Sequence, residues 1–126
     1  MKHIQLFCML VLALSVTCSI AQDKKKGKEV TITGEIVDVK CQLNGMASEM
    51  GEDHKQCTID CVKGGLPVAI LEEKTRSLYV VVPKKGMKGA NEELAKFAAQ
   101  KVRLTGELLE RGGLKMFAYT KVEEVK

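Results

Sequence analysis

The sequence predicts a mainly β protein, a five-stranded Greek-key barrel with one helix after the first strand and a short helix between the third and fourth. In VTITGEIVDVKC at 30–41, β-branched residues alternate with polar ones, which is typical of a half-buried strand. A similar phrase with a central glycine, KVRLTGELLE, recurs at 101–110. Between the strand-like segments lies GEDHKQCTIDC at 51–61, a polar stretch whose cysteines have helical spacing.

Five strands follow from these patterns. Gly34 and Gly106 lie within strand phrases and predict a bulge or a sharp bend there. Pro83 ends the third strand because proline cannot donate to a sheet ladder, and RGG at 111–113 predicts a hairpin connection. The predicted strands are VTITGEIVDVKC, LPVAILEE, LYVVVP, KVRLTGELLE and LKMFAYTKVEEV.

A short helix is predicted between the third and fourth strands. Asn91 is expected to cap its N-terminus. Glu92 and Glu93 would then lie at the positive end of the helix dipole, while Leu94 and Phe97 are spaced to face a core. The resulting order of strands and helices is that of the OB-fold barrel.

The first 21 residues predict a secretory signal peptide. Lys2 forms a short basic region, an apolar run extends over 6–16, and Ser19 and Ala21 provide small residues before a cleavage site. The run is shorter than the roughly 20 residues that a membrane-spanning helix needs, so no membrane span is expected. We therefore expect a periplasmic or secreted protein, with lipid anchoring at Cys18 as the minor alternative.

Cleavage would leave one small domain. Residues 22–28 predict a basic, flexible tail, and residues 29–126 a single domain that buries a thin core. The chain carries a net charge of +4 and contains only 2 Tyr, 3 Phe and no Trp, which disfavours nucleic-acid binding. It lacks a C-x-x-C pair and a phosphate-binding loop, so an enzyme is not expected. We expect a monomer.

The cysteine count indicates special chemistry. Cys8 and Cys18 would leave with the signal peptide, so the exported domain keeps Cys41, Cys57 and Cys61. In an oxidising compartment an odd number leaves one thiol unpaired, unless all three bind a soft metal ion.

The stretch at 51–61 places metal-ligand side chains on one helix face. At about 100° per residue, His54, Cys57 and Cys61 fall within a sector of about 60°. Cys41, at the end of the first strand, is expected to approach this face from a second element. A Cys3His set suits Zn²⁺, or Cu(I) with Met50 as a replacement ligand. We therefore predict a zinc or copper ion held by Cys41, His54, Cys57 and Cys61.

Two other interpretations of this face stay open. In one, Cys41 forms a disulfide with Cys57 or Cys61, which closes a loop of about 17 or 21 residues and stabilises the fold by about 3 kcal/mol. In the other, the cysteines pack in a core as small apolar side chains. A catalytic thiol is not predicted, because Cys57 and Cys61 are expected in the C-terminal half of the helix, where the dipole does not favour a thiolate.

These phrases also carry a resemblance. VTITGEIVDVKC, KVRLTGELLERGGLKMFAYTKVEEV and the H-x2-C-x3-C-x2-G-G-x-P segment HKQCTIDCVKGGLP resemble small exported bacterial OB-fold proteins, a largely uncharacterised group. The resemblance covers most of the mature chain. It implies the fold and export, but no particular activity.

Together these observations predict an exported OB-fold binding protein that holds a zinc or copper ion. Its expected role is metal carriage or sensing in the envelope, with another envelope protein as a possible partner. The alternative is a disulfide-stapled OB-fold module that binds an oligosaccharide or nucleic acid without metal. In that case the barrel face would bind through Tyr79, Arg76, Tyr119 and Lys121.

Overall fold

The computed structural model describes residues 28–45 and 51–126. The predicted signal peptide, the tail up to residue 27, and Met50 lie outside the described residues. The strands are β1 (Glu29–Asp38), β2 (Val68–Glu72), β3 (Leu78–Pro83), β4 (Lys101–Arg111) and β5 (Leu114–Glu124). The helices are α1 (Val39–Leu43), α2 (Lys55–Lys63) and α3 (Asn91–Leu94), with 3-10 turns at Glu52–His54 and Ala95–Phe97. Within the described ranges, every helix is too short or too polar to cross a membrane.

The five strands close into a barrel in the order β1-β2-β3-β5-β4. Neighbouring strands are antiparallel, except that β3 and β5 are parallel. This is the Greek-key arrangement of the OB-fold, in which a helix connects the third and fourth strands. The predicted fold is therefore confirmed, including the helix after the first strand and the later helix between β3 and β4.

One apolar core fills the barrel and continues into the helices at its end. Ile36, Leu104 and Phe117 are fully buried inside the barrel. Val62 of α2 and Leu94 of α3 belong to the same cluster. Because Val62 is part of the barrel core, the helix that carries two of the cysteines is fixed to the barrel.

The second half of β1 is buried on both faces. Ile36 points into the barrel core, whereas its neighbour Val37 belongs to a separate cluster with Ala69 and Leu71 of β2. Glu35, on the same face as Val37, is buried and accepts a hydrogen bond from the Gly51 amide at 3.0 Å. Gly51, shortly before the second helix, is therefore held against β1.

Two predicted boundaries are wrong, each for a local reason. The first strand ends at Asp38 rather than Cys41, because the Asp38 carboxylate accepts the Cys41 amide and starts α1. Asn91 does not cap the N-terminus of α3, which is preceded by Ala90. Its side-chain amide instead donates to the carbonyl oxygens of Val62 and Leu66, at 2.8 and 2.7 Å.

The two strand glycines serve different purposes. Gly34 pairs in register with both β2 and β4, so the predicted bulge is absent there. Between β4 and β5 the register shifts at Thr105/Gly106, as predicted for the later glycine. At both positions an added Cβ would collide with a carbonyl oxygen, that of Leu71 beside Gly34 and that of Ala118 beside Gly106.

Gly34→Ala is therefore expected to lower the free energy of unfolding by about 2–3 kcal/mol, because the added methyl group pushes β1 from β2. Urea denaturation of the metal-free protein measures this. Gly89→Ala is the matched control: the nearest heavy atom to its added Cβ is Asn91 Oδ1 at 3.9 Å, so the change should stay within about 0.5 kcal/mol. Equal effects of the two substitutions would contradict the close approach of β1 and β2.

Candidate metal centre

Cys41 is positioned by the cap of α1. Asp38 Oδ1 accepts the Cys41 backbone amide at 2.8 Å, which is the bond expected between an N-cap carboxylate and the third helical residue. Cys41 is 2% exposed. The cap therefore holds this thiol in the first turn of α1, out of contact with bulk solvent.

The other two cysteines lie on α2, beside the stripe that packs on the barrel. Thr58 and Val62 are buried, and Cys57 and Cys61 are half-buried one position before each of them. Near the C-terminus of α2, the Asn91 side chain binds the Val62 carbonyl oxygen. Since both packing and a hydrogen bond fix this helix, its cysteines have a defined position relative to the barrel.

The sequence suggested that Cys57 lies in the C-terminal half of its helix, and this prediction is wrong. The helix begins at Lys55, so Cys57 is its third residue and Cys61 its seventh. The helix starts late because Glu52–His54 form a 3-10 turn instead of its first α-helical turn. The dipole argument against a catalytic thiol consequently applies to Cys61 and not to Cys57.

The three sulfur atoms form one cluster. Cys41 Sγ and Cys57 Sγ are 3.5 Å apart, and all three Sγ atoms lie within 4.8 Å of one another. Zn–S bonds of about 2.3 Å in a tetrahedral site place sulfur atoms about 3.8 Å apart. Small shifts of the three side chains therefore suffice to coordinate one ion.

His54 is not part of this sulfur cluster. It closes the 3-10 turn at the N-cap position of α2 and is half-buried, whereas the ligand atoms that gather within 4.8 Å belong to Cys41, Cys57 and Cys61. The structure thus brings three of the four predicted ligands together. A role for His54 as the fourth ligand stays a prediction, and Met50 lies outside the described residues.

Sequence reasoning missed Asp38, a buried acid beside the thiols. Asp38 is 1% exposed. Its carboxylate also hydrogen-bonds the Cys41 thiol, and its charge acts on Cys61. The signal was the residue type, since Asp directly before an apolar residue, here Val39, is typical of a helix N-cap.

The environment disfavours the thiolate forms of Cys41 and Cys61 in the metal-free protein. Burial, followed by hydrogen bonds to Cys57 and Asp38, raises the pKa of the Cys41 thiol from about 9 to about 12. Burial followed by the negative charge of Asp38 also raises the pKa of Cys61. A metal ion must therefore displace protons to bind here.

One residue of the alternative ligand-binding set is not available on the surface. Tyr119 was expected to be exposed but is 5% exposed, because its ring belongs to the barrel core. Its hydroxyl donates to Glu93 Oε2 at 2.6 Å, and burial raises its pKa above the ordinary value. Tyr119 therefore does not offer a stacking surface.

The rest of that set does not form a stacking platform of several rings. Tyr79 is half-buried, and Lys115 Nζ lies 5.9 Å from the centre of its ring. Arg76 is exposed in a turn with a φ of 59°, and Lys121 pairs with Glu123 at 2.9 Å. Only one of the two predicted tyrosines, Tyr79, is thus left partly accessible.

The raised pKa of Cys41 predicts a specific pH dependence of stability. The folded protein holds this proton to about pH 12, whereas the unfolded chain releases it near pH 9. The stabilisation is complete below about pH 9 and is lost as the pH rises towards 12. Urea denaturation of the metal-free, reduced protein at pH 8, 9 and 10 should show falling stability. Cys41→Ser should flatten this decline, and equal slopes for the two proteins would refute the buried thiol.

Comparisons with known proteins give no match: no family model fits the chain, and no curated protein or solved structure is significantly similar to it. The resemblance to small exported OB-fold proteins therefore stays a prediction. What the site can do follows from its own sulfur atoms and their surroundings.

Proposed function

We propose that this protein is an exported OB-fold protein that binds one soft metal ion, Zn²⁺ or Cu(I), and serves in metal carriage or sensing in the envelope. The observation that supports it is the gathering of three cysteine sulfurs from two separate helices within 4.8 Å. Convergence of thiolates is what a site for these ions requires.

Core packing does not account for this arrangement. The residues of α2 that pack against the barrel are Thr58 and Val62, both buried. Cys57 and Cys61 lie beside that stripe and remain half-buried, so they contribute less to the apolar core than Leu or Ile would there. Their sulfur atoms instead approach that of Cys41, which favours a metal ion bound by all three.

The accessibility of the site supports carriage or sensing rather than a purely structural ion. Cys41 is buried, whereas Cys57 and Cys61 are reached by solvent. The barrel closes through its own strands and core, without help from the cysteines. An ion at this position can therefore be exchanged from the solvent side while the barrel stays folded, with His54, Met50 or a partner's side chain completing the coordination.

A second candidate is supported by one distance. Cys41 Sγ and Cys57 Sγ are 3.5 Å apart, and a shift of roughly 1.5 Å would bring them to the S–S bond length. A disulfide would close a loop of about 17 residues and stabilise the fold by about 3 kcal/mol. Cys61 would then remain a free thiol, and the protein would be a stapled binding module without metal.

Native mass spectrometry separates the two candidates. The protein is exported in its own host, purified without chelator, and then denatured in the presence of a thiol-alkylating reagent. We expect one zinc or copper ion per chain and alkylation of Cys41, Cys57 and Cys61 without reductant. A metal-free protein in which only one of them alkylates would reject the metal site in favour of the disulfide.

Variants then test the ligands. Cys57→Ser should weaken binding by at least about a hundredfold, because it removes one of three thiolates. Gln56→Ala is the matched control, since Gln56 is exposed on the same helix and bonds only Asp60, at 2.9 Å; its affinity should change less than about twofold. His54→Ala measures whether His54 completes the site. Equal affinities for Cys57→Ser and the control would place the ion elsewhere.

A further inference from the structure

We propose that Asp38 is the residue that selects the ion: its buried carboxylate makes the three-cysteine site favour divalent Zn²⁺ over monovalent Cu(I). This inference rests on the proposed metal binding and deepens it. It assigns Asp38 a positioning and electrostatic role, in contact with the Cys41 ligand, rather than a place in the sulfur cluster.

The position of Asp38 brings its charge to the thiols. It is the last residue of β1, pairs with Val68 of β2, and is 1% exposed. Its Oδ1 lies 2.8 Å from the Cys41 amide nitrogen, and the carboxylate also contacts the Cys41 thiol. Within the described part of the chain Asp38 forms no ion pair, so no basic side chain there neutralises it.

Capping alone does not require this charge. Asn and Ser cap helices about as well as Asp, and either would satisfy the Cys41 amide. A buried, unpaired carboxylate is costly, because it loses its hydration without gaining a counter-ion. An uncharged cap would avoid this cost, which points to a role for the charge of Asp38.

The charge balance shows why the two ions differ. Three thiolates around Zn²⁺ carry a net charge of −1, and the same three around Cu(I) carry −2. The fixed negative charge of Asp38 therefore repels the copper-bound cluster about twice as strongly as the zinc-bound cluster, by the linear dependence of Coulomb energy on charge.

The test measures the ratio of the two affinities. Metal-free wild-type protein and Asp38→Asn are titrated anaerobically with Zn²⁺ and with Cu(I), each against a chromophoric chelator that competes for that ion. We expect the ratio of zinc to copper affinity to fall at least about tenfold in Asp38→Asn, which is one unit of charge at short range, discounted for the half-exposed site. Asp38→Ser, a second uncharged cap, should change the affinity ratio in the same direction. It replaces Asp38→Asn in the test if that variant folds poorly.

The matched control is Asp60→Asn. Asp60 adjoins Cys61 in sequence but is exposed, so solvent and salt screen its charge and the affinity ratio should change less than about threefold. If Asp38→Asn weakens the binding of both ions by the same factor, Asp38 is only structural and the inference is overturned. An unchanged ratio, or one that rises towards zinc, also overturns it. A wild-type protein that binds neither ion would instead refute the proposed function itself, which is a distinguishable result.

Discussion

The hydrogen bond from the Cys41 amide to the Asp38 carboxylate, 2.8 Å long and buried, determines where the first strand of the barrel ends. A strand that continued to Cys41 would carry the thiol along the sheet. Because Asp38 caps a helix instead, the chain turns over the end of the barrel, and Cys41 meets the sulfurs of α2. The same carboxylate brings a fixed negative charge to the thiols. Backbone direction, ligand placement and local charge therefore all depend on one side chain.

The fold depends on the barrel, and the proposed function depends on the cysteine site. Strand pairing closes the barrel without any contribution from the cysteines, and Val62 and Asn91 fix α2 to it through packing and a hydrogen bond. Cys57 and Cys61 can thus remain half-exposed on a scaffold that does not depend on them. Such separation is expected of a site that exchanges its ion, since binding residues placed on a rigid support need little reorganisation.

Much of the fold could be predicted from the sequence, because alternation and glycine placement are local signals. The five strands and two helices, α2 and α3, were predicted in the correct order, whereas the short helix α1 was not predicted. The helical spacing of Cys57 and Cys61 brought them onto one face. The errors concern long-range contacts: Asn91 bonds the end of another helix, and Tyr119 turns into the core to reach Glu93. The place of Asp38 beside the thiols was missed, although the sequence shows an N-cap residue there, because its burial depends on the closed barrel. Export, the fourth ligand and the identity of the ion stay predictions.

X-ray absorption spectroscopy of the zinc-loaded protein tests whether the three cysteines hold the ion, because it reports the atoms bound to the ion. We expect three sulfur atoms at about 2.3 Å and one lighter donor at about 2.0–2.1 Å from the zinc. In Cys41→Ser the number of sulfur neighbours should fall to two. A shell of only nitrogen and oxygen atoms would show that zinc binds elsewhere on the chain, and that the three thiols of α1 and α2 are not a metal site.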